Sequence, residues 1–274
     1  MIARILAIFA TEFTVAVRNR WVLIATLLMV VFSLVLTFSG SAPTGDLGVD
    51  LLTVSVASMT TLSVYLVPLL ALLMAFVGIA GEIERGGFAL VLTYPVSRFE
   101  ILIGKFTAHL VILAVAVFIG LGASGAVAWV SGGASDSSVQ ALLRLAWSSM
   151  LLGATFLAVG YVISALARSS GAAAGMAIGV WIVFVVIYDL ALLGALVADK
   201  GGYFTTQVFP YALVANPADA FRVFNLMFAD SIDAAAGLGG AGKGVPFAAV
   251  LTSMATWPLI SLALAHFLIK RVEP

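Results

Sequence analysis

The sequence predicts an all-α polytopic membrane protein with six transmembrane helices. Hydrophobic residues make up 63% of the chain and charged residues 9%, whereas a soluble domain has about 45–50% and about 25%. Mean hydropathy is +1.19, which no water-facing surface of a fold this size could accommodate. Apolar runs of the length needed for a core about 30 Å thick, at about 1.5 Å per residue, recur along the chain. The 26 glycines suit close packing of helices in lipid.

Residues 1–20 precede the first span. Ile2, Ile5, Leu6, Phe9, Phe13 and Val17 recur at helical spacing, with Arg4, Glu12 and Arg18 elsewhere. This reads as an amphipathic helix in the membrane interface; the plainer alternative is an extension of the first span. Its charges do not fit a cleavable leader. Spans are expected at 21–39, 52–79, 106–130, 144–166, 173–198 and 247–269. The second is over-long and contains Pro68, which predicts a tilt, a kink there, or projection beyond the lipid. Only Ala167, Arg168, Ser169, Ser170 and Gly171 separate the fourth and fifth, which predicts a tight helical hairpin.

Of the 13 Lys and Arg residues, all but Arg144, Lys200, Arg222 and Lys243 fall on the side of the termini. That excess puts both termini in the cytoplasm. Residues 199–246 then form an extracytoplasmic segment. Asn216, Pro217 and Asp219 have the order of a helix start, as N-cap, N1 and N3. Phe221, Phe224, Leu226, Met227 and Phe228 follow as an apolar surface, which predicts a helix at or partly re-entering the outer interface. The glycine-rich stretch 237–244 reads as a connector. Zero net charge implies no nucleic-acid partner, and the absence of Cys excludes disulfides and thiolate metal sites in this chain.

The cytoplasmic loop 81–105 carries most information. It surrounds the apolar stretch 88–94 with Glu82, Glu84, Arg85, Arg98, Glu100 and Lys105, and Gly86, Gly87 and Pro95 punctuate it. Such a loop is too charged for lipid and too apolar for water, so it is expected to dock on a cytoplasmic partner. The plainer alternative is a solvated loop with an interfacial helix.

The wording of this loop resembles that of ABC-2 type transporter permeases. The matching residues are Glu82, Glu84, Gly86, Pro95, Val96, Ser97, Arg98, Gly104 and Lys105. Gly87 departs from the pattern, which usually has Thr after the first Gly. The resemblance covers the whole chain, so 1–274 is expected to be one ABC-2 transmembrane domain. Chain length, the 81–105 loop and the Asn216 segment look, more narrowly, like the permeases that serve copper-site maturation of nitrous oxide reductase.

The resemblance implies a homodimer in the bacterial inner membrane, with a cytoplasmic ATPase under each copy. ATP and Mg would sit on that partner, and this chain would have no catalysis and no cofactor of its own. Residues 81–105 would form a coupling helix, with Glu82, Glu84, Arg85, Gly86, Pro95, Arg98 and Lys105 receiving the ATPase's motion. The complex would handle copper, and an extracytoplasmic copper-handling protein would dock near Phe204, Phe221, Phe224 and Met227. Three tasks compete: solute transport, force transmission to that outer partner, and export of lipid or another hydrophobic compound.

Asp189 is the one acidic residue expected deep in a span, which makes it, with Tyr188, a candidate for a pathway or a dimer axis. Met59, Met150 and Met254 fall in the outer thirds of spans, where thioethers suit Cu(I) but also ordinary packing. His109 and His266 read as interfacial polar residues. An intramembrane enzyme is the distant alternative. Ser124 and His266 lie at different depths, and Asp189 lacks a second Asp for a protease dyad. Residues 237–243 imitate a phosphate-binding loop but are followed by Gly244 instead of Ser or Thr.

Overall fold

A computed structural model describes residues 1–18, 20–40, 50–132, 134–227 and 245–271. The described residues form helices and no strand. α1 is Ile2–Val17, α2 Arg20–Gly40, α3 Leu51–Ala75, α4 Val77–Glu84, α5 Gly87–Val91 and α6 Arg98–Gly132. α7 is Asp136–Leu166, α8 Ser170–Ile182 and α9 Tyr188–Asp199, the last two joined through a π-turn at Val183–Ile187. A second π-turn, Phe204–Val208, leads into α10 (Phe209–Ala215), followed by α11 (Pro217–Leu226) and α12 (Phe247–Ile269).

Among the described residues, five stretches are long and apolar enough to cross a membrane: Leu51–Glu84, Arg98–Ser131, Asp136–Leu166, Ser170–Asp199 and Phe247–Ile269. α2 runs beside them, but its marked apolar part, Thr26–Phe38, is shorter. α7 is the central helix, packed on α3 and α12, while α6 carries α1 and α2 on its other side. Small residues set these distances. A Cβ on Gly160 of α7 would lie 2.6 Å from the Ala75 Cβ of α3.

The helices outrun the expected spans. α6 begins at Arg98, before the expected residue 106, and α7 begins at Asp136, before residue 144. Hydropathy marks only the lipid-facing part of a helix; the polar ends are held by caps. Ser135 and Ser138 form a reciprocal capping box on α7, and the Ser135 hydroxyl also donates to Asp50.

Pro68 lies within α3 without ending it. The break falls instead at Phe76, where a side chain from α7 enters the ladder. The Ser164 hydroxyl donates to the Phe76 carbonyl at 2.7 Å and accepts from the Ile79 and Ala80 amides, each at 2.9 Å. Hydrogen bonds lost to the break are thereby replaced.

α1 lies along the first turns of α6 and runs in the same direction. The Met1 amino group is 4.0 Å from Glu100, and Ile8 packs over Gly104. Its polar residue Glu12 faces the protein, while Ile2, Leu6 and Val15 are exposed.

Candidate functional site

The loop between α4 and α6 is shorter than the expected 81–105. Residues 81–84 complete α4, and Arg98 to Lys105 are the first turns of α6. What remains is a helical corner. Gly86 has φ 71°, a left-handed conformation that only glycine adopts at little cost, and it turns the chain from α4 into α5. Phe88 anchors α5 in the core, at 1% exposed, while Leu90 and Tyr94 stand out at 65% and 64%. Pro95 and Arg85 are also exposed.

Each side of this corner is tied to the spans. Glu84 accepts from the Ser170 amide at 3.0 Å, which caps α8. Glu100 and Ser97 cap α6 reciprocally, at 2.7 and 3.2 Å. Arg98 donates to the Ile269 and Lys270 carbonyls at 2.6 and 2.7 Å, at the end of α12. The two flanks of α5 are thus tied to α8 through Glu84 and to α12 through Arg98.

Glu82 and Lys105, both expected at the partner surface, turn inward. Lys105 lies 2.6 Å from Glu82 and 2.6 Å from Glu12, and its side chain is only 6% exposed. His109 is equally buried, which corrects its reading as an interfacial residue. Its Nε2 lies 3.3 Å from Glu12, and its Nδ1 is hydrogen-bonded to the Tyr161 hydroxyl at 2.8 Å. This network joins α1, α4, α6 and α7. Sequence reasoning singled out neither Glu12 nor Tyr161 for it; the only signal was an acid on an otherwise apolar helix.

Burial alone would raise the Glu12 carboxyl. The His109 hydrogen bond and the Lys105 ammonium outweigh that and hold it at about 2, against an ordinary 4.5. Its contribution is therefore complete above the ordinary value and lost as pH falls toward about 2. Docking of α1 should thus persist through pH 4.5 and fail only near 2. Labelling of a single cysteine at the buried position Ala16 measures this, and Glu12→Gln should remove the acid step.

At the opposite end the chain re-enters the bundle. Lys200 and Gly201, both with positive φ, reverse it, and Asp199 accepts from the Thr205 amide and hydroxyl, both at 2.8 Å. The second π-turn and α10 then descend beside α9 to a tip at Asn216. Asn216 Nδ2 donates to the Phe184 carbonyl at 2.6 Å, within the first π-turn, and its Oδ1 caps α11. Trp257 of α12 donates to Ala215, and the Phe184 ring meets Phe156 and Trp257 edge-on. Phe184 lies near the middle of Ser170–Asp199, about 20 Å from either end at about 1.5 Å per residue. The tip therefore reaches halfway across the bundle.

This geometry corrects the expected outer surface. Phe221 and Phe224 are buried against the core, because α11 turns its apolar face toward α7, α12 and α3. Met227 is partly buried against the same core, and Phe204 is half-buried against Phe209. Phe228 and the stretch 237–244 lie outside the described residues. Asp189 is bound to Arg222 of α11 at 2.8 Å, and the Tyr188 hydroxyl donates to Ala212 at 2.6 Å. Met59 and Met254 are buried in the apolar core and Met150 packs against it. His266 meets Phe99 in the first turn of α6, whereas Ser124 lies 25 residues further along that helix, about 37 Å away at about 1.5 Å per residue. A serine–histidine pair is thereby excluded.

A bundle of long apolar helices with a re-entrant hairpin defines a multi-pass membrane protein. Residues 6–273 match the ABC-2 family transporter protein family, and the chain belongs to it. It is 39% identical over 270 residues to a probable ABC transporter permease protein NosY of Pseudomonas aeruginosa, covering 95% of each chain. It is also 39% identical over 264 residues to the protein of the same description from Stutzerimonas stutzeri, again over 95% of each.

Proposed function

We propose that this chain is the force-transmitting permease of an ABC complex that serves copper-site assembly of nitrous oxide reductase. A partner ATPase would dock on the α5 corner and supply ATP and Mg. The chain would cross the bacterial inner membrane six times, α2 being the first crossing, with both termini cytoplasmic. An extracytoplasmic copper-handling protein would meet the opposite end. The observation that carries this reading is the α5 corner: exposed Leu90 and Tyr94 on a segment wired to three spans. The packing of Met59 and Met254 into the core supports transmission of force over passage of copper among these thioethers.

The test is assembly with the ATPase. Leu90→Asp with Tyr94→Asp should weaken association tenfold or more, because buried aromatic anchors are commonly worth about 2 kcal/mol or more. Unchanged association and coupled turnover would sink the assignment. A homodimer is the proposed working form. Only 6% of the α8–α9 apolar window is covered, against 67% for α7, and Gly171, Gly175 and Gly179 leave open space on α8. Glycines at four-residue spacing let two helices approach closely. The chain has no native Cys, so Gly175→Cys should give a disulfide-linked dimer on oxidation; persistence of monomer places the interface elsewhere. The same uncovered flank favours a second reading, export of a hydrophobic compound along α8–α9. Phospholipid movement by the reconstituted dimer would distinguish it.

A further inference from the structure

Two carboxylates and one guanidinium meet where the re-entrant hairpin lies against α9. Arg222 Nη2 is 2.8 Å from Asp189 Oδ2, and Arg222 Nη1 is 2.9 Å from Asp219 Oδ1. The Asp219 side chain is 1% exposed, and its Oδ2 has no hydrogen-bond partner among the described residues. The Asp189 carboxyl is the acid that faces it. Asp219 lies one helical turn from the Asn216 tip, and so near the middle of the bundle.

The charges do not balance. With both acids ionised these three side chains carry a net negative charge, and among the described residues Asp219 Oδ2 has no hydrogen-bond partner. Two carboxylates that share one guanidinium, one of them almost wholly buried, repel each other. One proton removes both defects. It neutralises the cluster, and a protonated Asp219 can donate from Oδ2 to Asp189, closing a ring through Arg222. Among the described residues, three further polar groups act on the two acids or the guanidinium. They are Tyr188 of α9, Asn216 at the tip and Tyr65 of α3. α7 and α12, which also pack on α11, meet the hairpin through Ser148 and Trp257.

We infer that Asp189 and Asp219 bind one exchangeable proton between them, and that this proton locks the re-entrant hairpin against α9. Loss of the proton leaves two carboxylates on one guanidinium, and their repulsion loosens the hairpin. The lock stands on this cluster alone and is independent of the cargo or partner assigned to the complex.

The experiment uses the full chain in lipid nanodiscs. Infrared spectra in H₂O and D₂O should show a protonated carboxyl at neutral pH that is lost in Asp219→Asn. Spin labels on cysteines at Leu193 of α9 and Tyr211 of α10, both exposed, report the hairpin position. The distance distribution should be narrow at neutral pH and broaden under alkaline conditions. Asp219→Asn keeps a neutral donor and should abolish that broadening. If Asp219→Asn does not fold, the more exposed Asp189→Asn gives the same readout. A neutral-pH spectrum unchanged by either substitution, or alkaline broadening that persists in both, overturns the proposal.

Discussion

Replacing Lys105 by methionine is expected to destabilise the chain by about 3–5 kcal/mol, the usual cost of removing one partner from a buried ion pair. The Lys105 ammonium lies 2.6 Å from both Glu12 and Glu82, and all three side chains are largely buried. Without it, Glu12 keeps His109 but Glu82 loses its ammonium, and Glu82 Oε2 already has no partner among the described residues. The main loss should be docking of α1, because Glu12 is its buried link to α6. Replacing the whole set, as Glu12→Gln, Glu82→Gln and Lys105→Met together, should recover most of the stability, since no charge then remains buried. Thermal unfolding in detergent, compared across the single and triple substitutions, measures this. A single substitution as harmless as the triple would show that the ion pairs contribute little.

Gly160→Ala should cost about 1–3 kcal/mol, the range for overpacking a tight core. The new methyl group would sit 2.6 Å from the Ala75 Cβ and 3.6 Å from the Ala75 and Leu72 Cα atoms. Those neighbours are backbone and a methyl group, so no side chain can swing aside. α3 and α7 must separate, and that seam is the centre of the fold. Gly122→Ala on α6 provides the control, because nothing lies within 4 Å of its Cβ. There, removing a helix-interior glycine should stabilise by about 0.5–1 kcal/mol. Equal effects at the two sites would contradict the close α3–α7 approach.

The contrast between these sites shows how far sequence reading reaches. Both are glycines in long apolar runs, and only the neighbouring helix separates them. Glu82 and Glu84 likewise form one motif, two residues apart. One turns inward to Lys105, and the other caps α8 at Ser170. Pro68 left a tilt, a kink or a projection open, and the helix break lies at Phe76, where a hydroxyl from α7 supplies replacement hydrogen bonds. Phe221 and Phe224 looked like an outer docking surface and are buried, because the hairpin that carries them descends into the bundle.

The sequence by itself determined the all-helical membrane class, the approximate places of the apolar helices and the family. The first two depend on local composition, because an apolar run must find lipid and a charged corner must leave it; the family rests on the resemblance of the 81–105 segment. Tertiary structure decided which charges are partners, where helices break and how deep the hairpin reaches. Those outcomes depend on contacts between distant segments. Glu12 and Lys105 are 93 residues apart, and Asp189 and Arg222 are 33 apart. A polar side chain inside a membrane takes whichever partner the packing brings within about 3 Å, and no local pattern in the chain carries that distance.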